Sequence, residues 1–277
     1  MCFGVRDAIA LAFETAKHEP LTILGDLVHN ETVLAELRAR GAGIEQSVAT
    51  VPTQTVMITA HGASERRLTS ARNRGLKVLE ATCPLVHAAH RSLAKLVRDG
   101  FHPIIIGKRD HVEVLGLTED LETYDIVLTD EDIASLSYRP QFGIISQTTQ
   151  PIEKVRRLVQ LIRDRFRYSK VQFVDTVCQP TKQRQYAAIE LAQKCDVVIV
   201  IGGAHSNNTH ELAQTCSRFC KRVHHVQTAE DLRAEWFCDT DTVGITAGTS
   251  TPDEVIEQVG RSLENIGQTI NHTNIYP

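Results

Sequence analysis

Five short β-branched runs along this chain break off into polar or glycine-rich loops: TVMITAHGAS (55–64), HPIIIGKRDH (102–111), QFGIISQTTQ (141–150), DVVIVIGGAHSNN (196–208) and DTVGITAGTS (241–250). Unbroken apolar runs of strand length, bounded by turn residues, predict strands buried on both faces, as in a parallel sheet. Between them lie amphipathic stretches: ETVLAELRARG (31–41), VHAAHRSLAKLVRDG (86–100), IEKVRRLVQLIRDRF (152–166) and TKQRQYAAIELAQK (181–194). Their helical period predicts helices, and Gly41 and Gly100 stand where a helix end calls for a left-handed residue. Strand and helix in alternation predict a parallel α/β architecture.

The unusual polar residues fall at one place in this pattern, just after the strands. His61 follows one run, His111 and Glu113 the next, then Thr148, then Ser206, Asn207 and Asn208, then Ser250. Ligands of open parallel sheets bind outside the carboxyl ends of the strands, so the fold itself would gather these positions. A single polar loop after a strand is ordinarily a turn; five with similar endings point to a site.

Composition narrows the class. With 277 residues, 42% hydrophobic and 23% charged, the chain is long enough for one large domain or several small ones. No apolar run approaches the roughly 20 residues needed to span a bilayer, the longest being Asp196 to Gly203. A net charge of −4 and a pI near 6.3 argue against nucleic acid as the partner, while leaving room for a small anion. Seven cysteines, an odd number, without a signal peptide favour a reducing cytoplasm over a disulfide framework.

Three of those cysteines, Cys2, Cys83 and Cys178, each begin or close a short polar segment beside a hydrophobic element. Gaps of 81 and 95 residues exclude a zinc knuckle or a CxxC pair and suit three similar α/β units, each giving one thiolate to a shared centre. Three thiolates on a cluster of four irons leave one iron able to bind and reduce a substrate, whereas four would only hold a cluster for electron transfer. Taken singly, any cysteine reads as a small buried hydrophobe, and Cys195, Cys216, Cys220 and Cys238 are assigned to structure.

The loops GGAHSNNTHEL (202–212) and AGTSTPDEVIEQV (247–259) each set Ser, Asn or Thr at the start of an amphipathic helix, with Thr251–Pro252 as an N-cap and first-turn signal. Backbone N–H groups, hydroxyls and amides there suit an anion such as phosphate. Each loop taken alone reads as simple capping. No GxxxxGK[ST] and no GxGxxG after a strand is present, so the common nucleotide fingerprints are missing. His29, His61 and His111 each sit beside the end of a predicted element; singly each reads as a surface or core histidine, but histidine also donates to phosphate in either charge state. Glu113 follows His111 by two residues, which would put both on one face if the segment were extended.

The strings VHNETV (28–33), TAHGAS (59–64), EATCPLVHAAH (80–90), HVEVLG (111–116), SQTTQ (146–150), CQPTKQRQ (178–185), HSNN (205–208) and TAGTSTPD (246–253) resemble, in order, the motif series of the IspH/LytB family of hydroxymethylbutenyl diphosphate reductases. The similarity runs from Cys2 to about Asp253. ATCPLV with its following histidine is its most specific part.

The resemblance implies a trefoil of three small parallel-sheet α/β units around a central [4Fe-4S] cluster, spanning 1–82, 83–176 and 177–255, with 256–277 as a C-terminal helix end and tail. It implies Cys2, Cys83 and Cys178 as cluster ligands. It also implies a diphosphate clamp on His29, His61, His111, Ser206, Asn207, Asn208 and Ser250, Asn207 standing where the family often has serine. Glu113 would deliver protons to the leaving hydroxyl, and Thr148 would help position it. The implied reaction is reductive dehydroxylation of 4-hydroxy-3-methylbut-2-enyl diphosphate to isopentenyl and dimethylallyl diphosphate, the last step of the methylerythritol phosphate pathway to isoprenoids. Reduced flavodoxin or ferredoxin would be the electron donor. One departure from the family pattern is that a strand and a GF-type turn normally precede the first cysteine, whereas here Cys2 follows Met1 directly. A ligand so near a chain end frays unless the sequence is truncated or neighbouring loops pin it. Two other classes stay open at this stage: a zinc hydrolase with Cys and His ligands, and a phosphometabolite-binding redox sensor.

Overall fold

This computed structural model describes residues 1–25, 27 and 31–273, with the backbone alone described at 31, 32 and 269–273. It contains three parallel sheets in two compact units. One unit, Phe3–Val28 with Thr32–Thr181, holds two sheets; the other, Met1–Cys2 with His29–Glu31 and Lys182–Pro277, holds the third.

The first sheet comprises β1 (Leu21–Leu24), β2 (Gly43–Glu45), β3 (Thr55–Ile58) and β4 (Lys77–Glu80), in the order β2-β1-β3-β4. Helices α1 (Phe3–Ala16), α2 (Glu31–Ala39) and α3 (Glu65–Asn73) accompany it. The second comprises β5 (His102–Ile106), β6 (Asp125–Val127), β7 (Gln141–Ser146) and β8 (Lys170–Phe173), in the order β6-β5-β7-β8, with α4 (Pro84–Arg98), α5 (Val112–Thr118), α6 (Asp130–Ser135) and α7 (Ile152–Arg165). After α8 (Gln179–Lys194) come β9 (Val197–Ile201), α9 (Asn207–Cys216), β10 (Arg222–Val226), β11 (Val243–Ala247) and α10 (Asp253–Thr273), the sheet order being β10-β9-β11. Counted from its own first strand, every sheet reads 2-1-3, and the first two add a fourth strand beyond the third.

The period of two along each central strand explains the cores. In β5, Ile104 and Ile106 join one buried cluster while Ile105 joins the cluster on the opposite face; in β9, Val198 and Val200 face one way, and Val197, Ile199 and Ile201 the other. All five residues of β9 are fully buried. Each such side chain contributes about 1.5–3 kcal/mol of burial, so a charge at Val200 would unseat the third sheet.

The five expected strands are β3, β5, β7, β9 and β11, and the four expected helices are α2, α4, α7 and α8. Gly41 and Gly100 adopt φ of 84° and 82° past α2 and α4, in the left-handed region expected of them. The sequence pattern misses β1 and the edge strands β2, β4, β6, β8 and β10. Edges such as β4 expose one side, so no unbroken apolar run marks them.

Within the two-sheet unit, the end of α5 fastens the start of α3. The Asp120 carboxylate accepts from the Glu65 and Arg66 amides at 2.7 and 3.0 Å, satisfying first-turn donors that α3 leaves open. Glu119 accepts from Ser64 Oγ and Arg67 Nε at 2.5 and 2.7 Å.

Candidate active site

One scaffold is repeated three times in register. The last residue of each first strand pairs with the last residue of its third: Leu24 with Ile58, Ile106 with Ser146, Ile201 with Ala247. The next residue is glycine each time, and its amide donates to the end of the second strand: Gly25 to Glu45 at 2.7 Å, Gly107 to Val127 at 3.1 Å, Gly202 to Val226 at 2.9 Å. Only glycine fits at 202, because a Cβ there would stand 2.3 Å from Thr209 Oγ1. Second and third strands flank the first, so the chain leaves it in opposite directions and opens a crevice at the strand ends. Five residues past the first strand come His29, His111 and Ser206, and His61 and Ser250 lie three past the third. His29 lies outside the described residues.

The cysteines share a position of their own. The amides of Cys2, Cys83 and Cys178 each donate at 3.0 Å to a carbonyl two residues past a third strand: Thr249, Ala60 and Thr148 respectively. Each cysteine also immediately precedes a helix, α1, α4 or α8. The loop after β11 thus holds Cys2 through its amide. All three are partly exposed and none forms a disulfide, whereas Cys216 and Cys220 are buried. Gly4 leaves room at Cys83, since a Cβ there would come within 2.6 Å of its Sγ. Thr181 Oγ1 lies 3.0 Å from Cys178 Sγ. Each thiol stands at a helix start, and thiolate sulfur is the soft donor that an iron–sulfur cluster takes. Among the described residues, no three His, Cys, Asp or Glu side chains gather around the position of a single metal ion.

The crevice of the second sheet holds the acid. His111 is the N-cap of α5 and Glu113 its second residue, so the pair is helical rather than extended. The Glu113 amide donates to His111 Nδ1 at 3.2 Å, which leaves Nε2 to carry the proton of the neutral ring. The rings of His61 and His111 meet edge to face, with centroids 5.6 Å apart. Glu113 is 1% exposed, and its two oxygens accept from the Thr148 amide at 2.6 Å and the Thr148 hydroxyl at 2.9 Å. Burial pushes its pKa up to about 7 against the opposing pull of those two bonds. A carboxyl poised there is suited to general acid work at neutral pH.

The crevice of the third sheet holds donors of another kind. Ser206 caps α9, its Oγ accepting from Thr209 N, and is 3% exposed. Asn208 Oδ1 accepts from Thr249 N at 3.0 Å, which turns its NH₂ group the other way. Thr249 thus bonds Asn208 through its amide and Cys2 through its carbonyl. Asn207 Nδ2 is buried and has no hydrogen-bond partner among the described residues, a donor waiting for an acceptor. Ser250 is 8% exposed beside them.

Two supporting residues lie inside the strings SQTTQ and CQPTKQRQ, but the sequence singles out neither. Arg184 Nη1 donates to the carbonyls of Ala247 and Gly248 at 2.7 and 2.9 Å, bracing the loop that holds Thr249 and Ser250. Gln147, fully buried, ties the loops after β5 and β7 by accepting from Lys108 N at 3.1 Å. Nothing but contact separates them from ordinary polar residues. Thr251, expected as an N-cap, instead donates its hydroxyl to Ile201 O at 3.0 Å and so ties this loop back to β9.

The family model described as LytB protein matches residues 1–264. A 4-hydroxy-3-methylbut-2-enyl diphosphate reductase from Trichlorobacter lovleyi is 34% identical over 271 residues, covering 97% of this chain and 96% of that protein. The structure of the E-1-hydroxy-2-methyl-but-2-enyl-4-diphosphate reductase from Plasmodium falciparum superposes with a TM-score of 0.88 at 27% identity, over 96% of this chain and 85% of that one. A second solved structure, of (E)-4-hydroxy-3-methyl-but-2-enyl diphosphate reductase described as the terminal enzyme of the non-mevalonate pathway, gives 0.68 at 34% identity over 96% of both chains.

Proposed function

We propose, because this chain belongs to the LytB family, that it reduces 4-hydroxy-3-methylbut-2-enyl diphosphate to isopentenyl and dimethylallyl diphosphate, closing the non-mevalonate route to isoprenoids. The observation that carries this reading is the repeated setting of Cys2, Cys83 and Cys178, each bonded through its amide to the same position past a third strand. These three thiolates would hold one [4Fe-4S] cluster. Bound there, it would supply electrons one at a time, drawn from reduced flavodoxin or ferredoxin, and Lewis acidity toward the substrate hydroxyl.

The chain's own residues do the rest. His29, His61, His111, Ser206, Asn207, Asn208 and Ser250 donate to the diphosphate, and this remote binding energy orients the allyl group. Breaking the C–O bond takes two electrons and two protons: one proton leaves with the hydroxyl as water, and the other goes to either end of the allyl system, which accounts for two products. Glu113 is the proton source. When Glu113 Oε2 is protonated it donates to Thr148 Oγ1, and the threonine hydroxyl passes its own proton on, so Thr148 serves as relay and positioner together.

The test is anaerobic purification with iron and sulfide analysis, followed by turnover with reduced methyl viologen. A brown protein with four irons that converts the allylic diphosphate supports the reading. Zinc without iron points to a hydrolase, and a cluster without turnover points to a sensor; either outcome sinks it.

A further inference from the structure

The threefold register repeats two positions at the crevices, and one residue among those described there has no role. Five residues past the first strands of the second and third sheets stand His111 and Ser206; three past the third strands stand His61, Thr149 and Ser250. All of these but Thr149 are diphosphate donors in the function proposed above. Thr148, the residue that the sequence motif singles out, is instead the counterpart of Ala60 and Thr249, whose carbonyls hold the cysteines.

The structure around Thr149 is built to aim a hydroxyl. From 142 to 150 every residue is buried except Thr149, which is partly exposed. Gln147, with no exposed surface, accepts at Oε1 from Lys108 N and from Gln150 Nε2, both at 3.1 Å. A backbone amide can only donate, so Oε1 is the carbonyl end and Nε2 the donor. Nε2 donates to Thr149 Oγ1 at 2.9 Å. With its oxygen accepting from a fixed amide, the Thr149 hydroxyl is left to donate its own proton outward.

We infer that Thr149 is a further donor to the substrate diphosphate, in the second sheet the counterpart of His61 and Ser250, and that Gln147 is the residue that orients it. The inference rests on the proposed reductase reading. A neutral hydroxyl is what this position offers: it binds a phosphate oxygen without adding a titrating group near Glu113.

The experiment compares wild type with Thr149→Val, Thr149→Ser and Gln147→Leu, measuring KM and kcat with a viologen donor, the inhibition constant of inorganic pyrophosphate, and cluster content. Loss of one hydrogen bond to a charged group predicts about a tenfold rise in KM and in the pyrophosphate constant for Thr149→Val. The cluster spectrum should hold and kcat should change by less than about twofold, since no transition-state contact is lost. Thr149→Ser should restore wild-type binding, and Gln147→Leu should weaken it by a smaller factor. Unchanged KM and pyrophosphate binding in Thr149→Val overturns the inference, as does a defect that Thr149→Ser shares or that tracks cluster loss. If wild type itself neither turns over the allylic diphosphate nor binds pyrophosphate, the reductase reading falls, and this inference with it.

Discussion

The second and third sheets set the same register of first and third strands around opposite chemistry. Past β5 and β7 the scaffold carries a buried carboxyl held by one threonine; past β9 and β11, at corresponding points, it carries serines and asparagines capping a helix. The strand pairing, the glycine after the first strand and the cysteine amide bond are common to both. What differs is the charge that burial acts on. Burial raises the pKa of Glu113; Ser206 and Asn208, buried as well, have no charge to lose and can only donate or accept. The scaffold thus fixes where a group stands, and its neighbours fix whether it moves a proton or binds an anion.

The comparison breaks most completely at the shared feature. Cys83→Ser or Cys178→Ser should abolish the cluster and with it all turnover, read from the visible spectrum and iron content of anaerobic protein; full iron in Cys83→Ser would remove the common premise. Next comes the acid. Glu113→Gln keeps shape and hydrogen bonding, and kcat should fall by roughly 10²-fold or more with KM little changed. The wild-type profile sharpens this. The protonated carboxyl is the active form, so kcat should decline as pH rises through about 7, a limb absent from the residual activity of Glu113→Gln. Folding stability follows the same sign. Because burial favours the protonated form, Glu113's contribution is complete below its ordinary 4.5 and is lost as pH climbs to about 7, a slope that thermal melts of wild type should show and those of Glu113→Gln should lack.

The third sheet should fail in binding. Asn208→Asp keeps the acceptor for Thr249 N but turns the opposite donor into an anion facing a diphosphate, so KM should rise well over tenfold while the cluster spectrum stays intact. In the first sheet, His61→Ala, removing one donor among several, should likewise act on binding and raise KM about tenfold. A fall in kcat at constant KM in either variant would erase the contrast with Glu113. Smallest of all is Cys216→Ser. This thiol lies fully buried in the core of the third sheet, where burial raises its pKa to about 11, and the change should cost about 1–3 kcal/mol of stability in a melt without loss of iron.

The central strands were legible because residues such as Ile104, Ile105 and Ile106 are buried on both faces and leave an unbroken apolar run. RVHHV in β10 and KVLE in β4 were not, because an edge strand mixes exposed and covered positions over a few residues. The residues singled out at the strand ends carry a chemical type and a motif, which sequence displays. Gln147 and Arg184 lie inside two of the motifs, but nothing in their chemical type marks a role; their importance is a partner on a distant loop, and only the folded chain brings that partner near. His111 and Glu113 show the same limit in local form. Their spacing was visible, but an extended and a helical pair read alike until α5 is seen to begin between them.

The bond between Cys2 and Thr249 also has a meaning in time. Cys83 and Cys178 reach carbonyls 23 and 30 positions earlier in the chain, whereas Cys2 waits for one 247 positions later. Closing the longer loop costs roughly 2 kcal/mol more chain entropy by logarithmic scaling, and it cannot begin on a ribosome until residue 249 has emerged. Two of the three thiol settings are therefore early products of folding and the third a late one. A chain interrupted before residue 249 would carry two finished cysteine settings and an untethered Cys2, so the third setting waits on synthesis of the loop after β11.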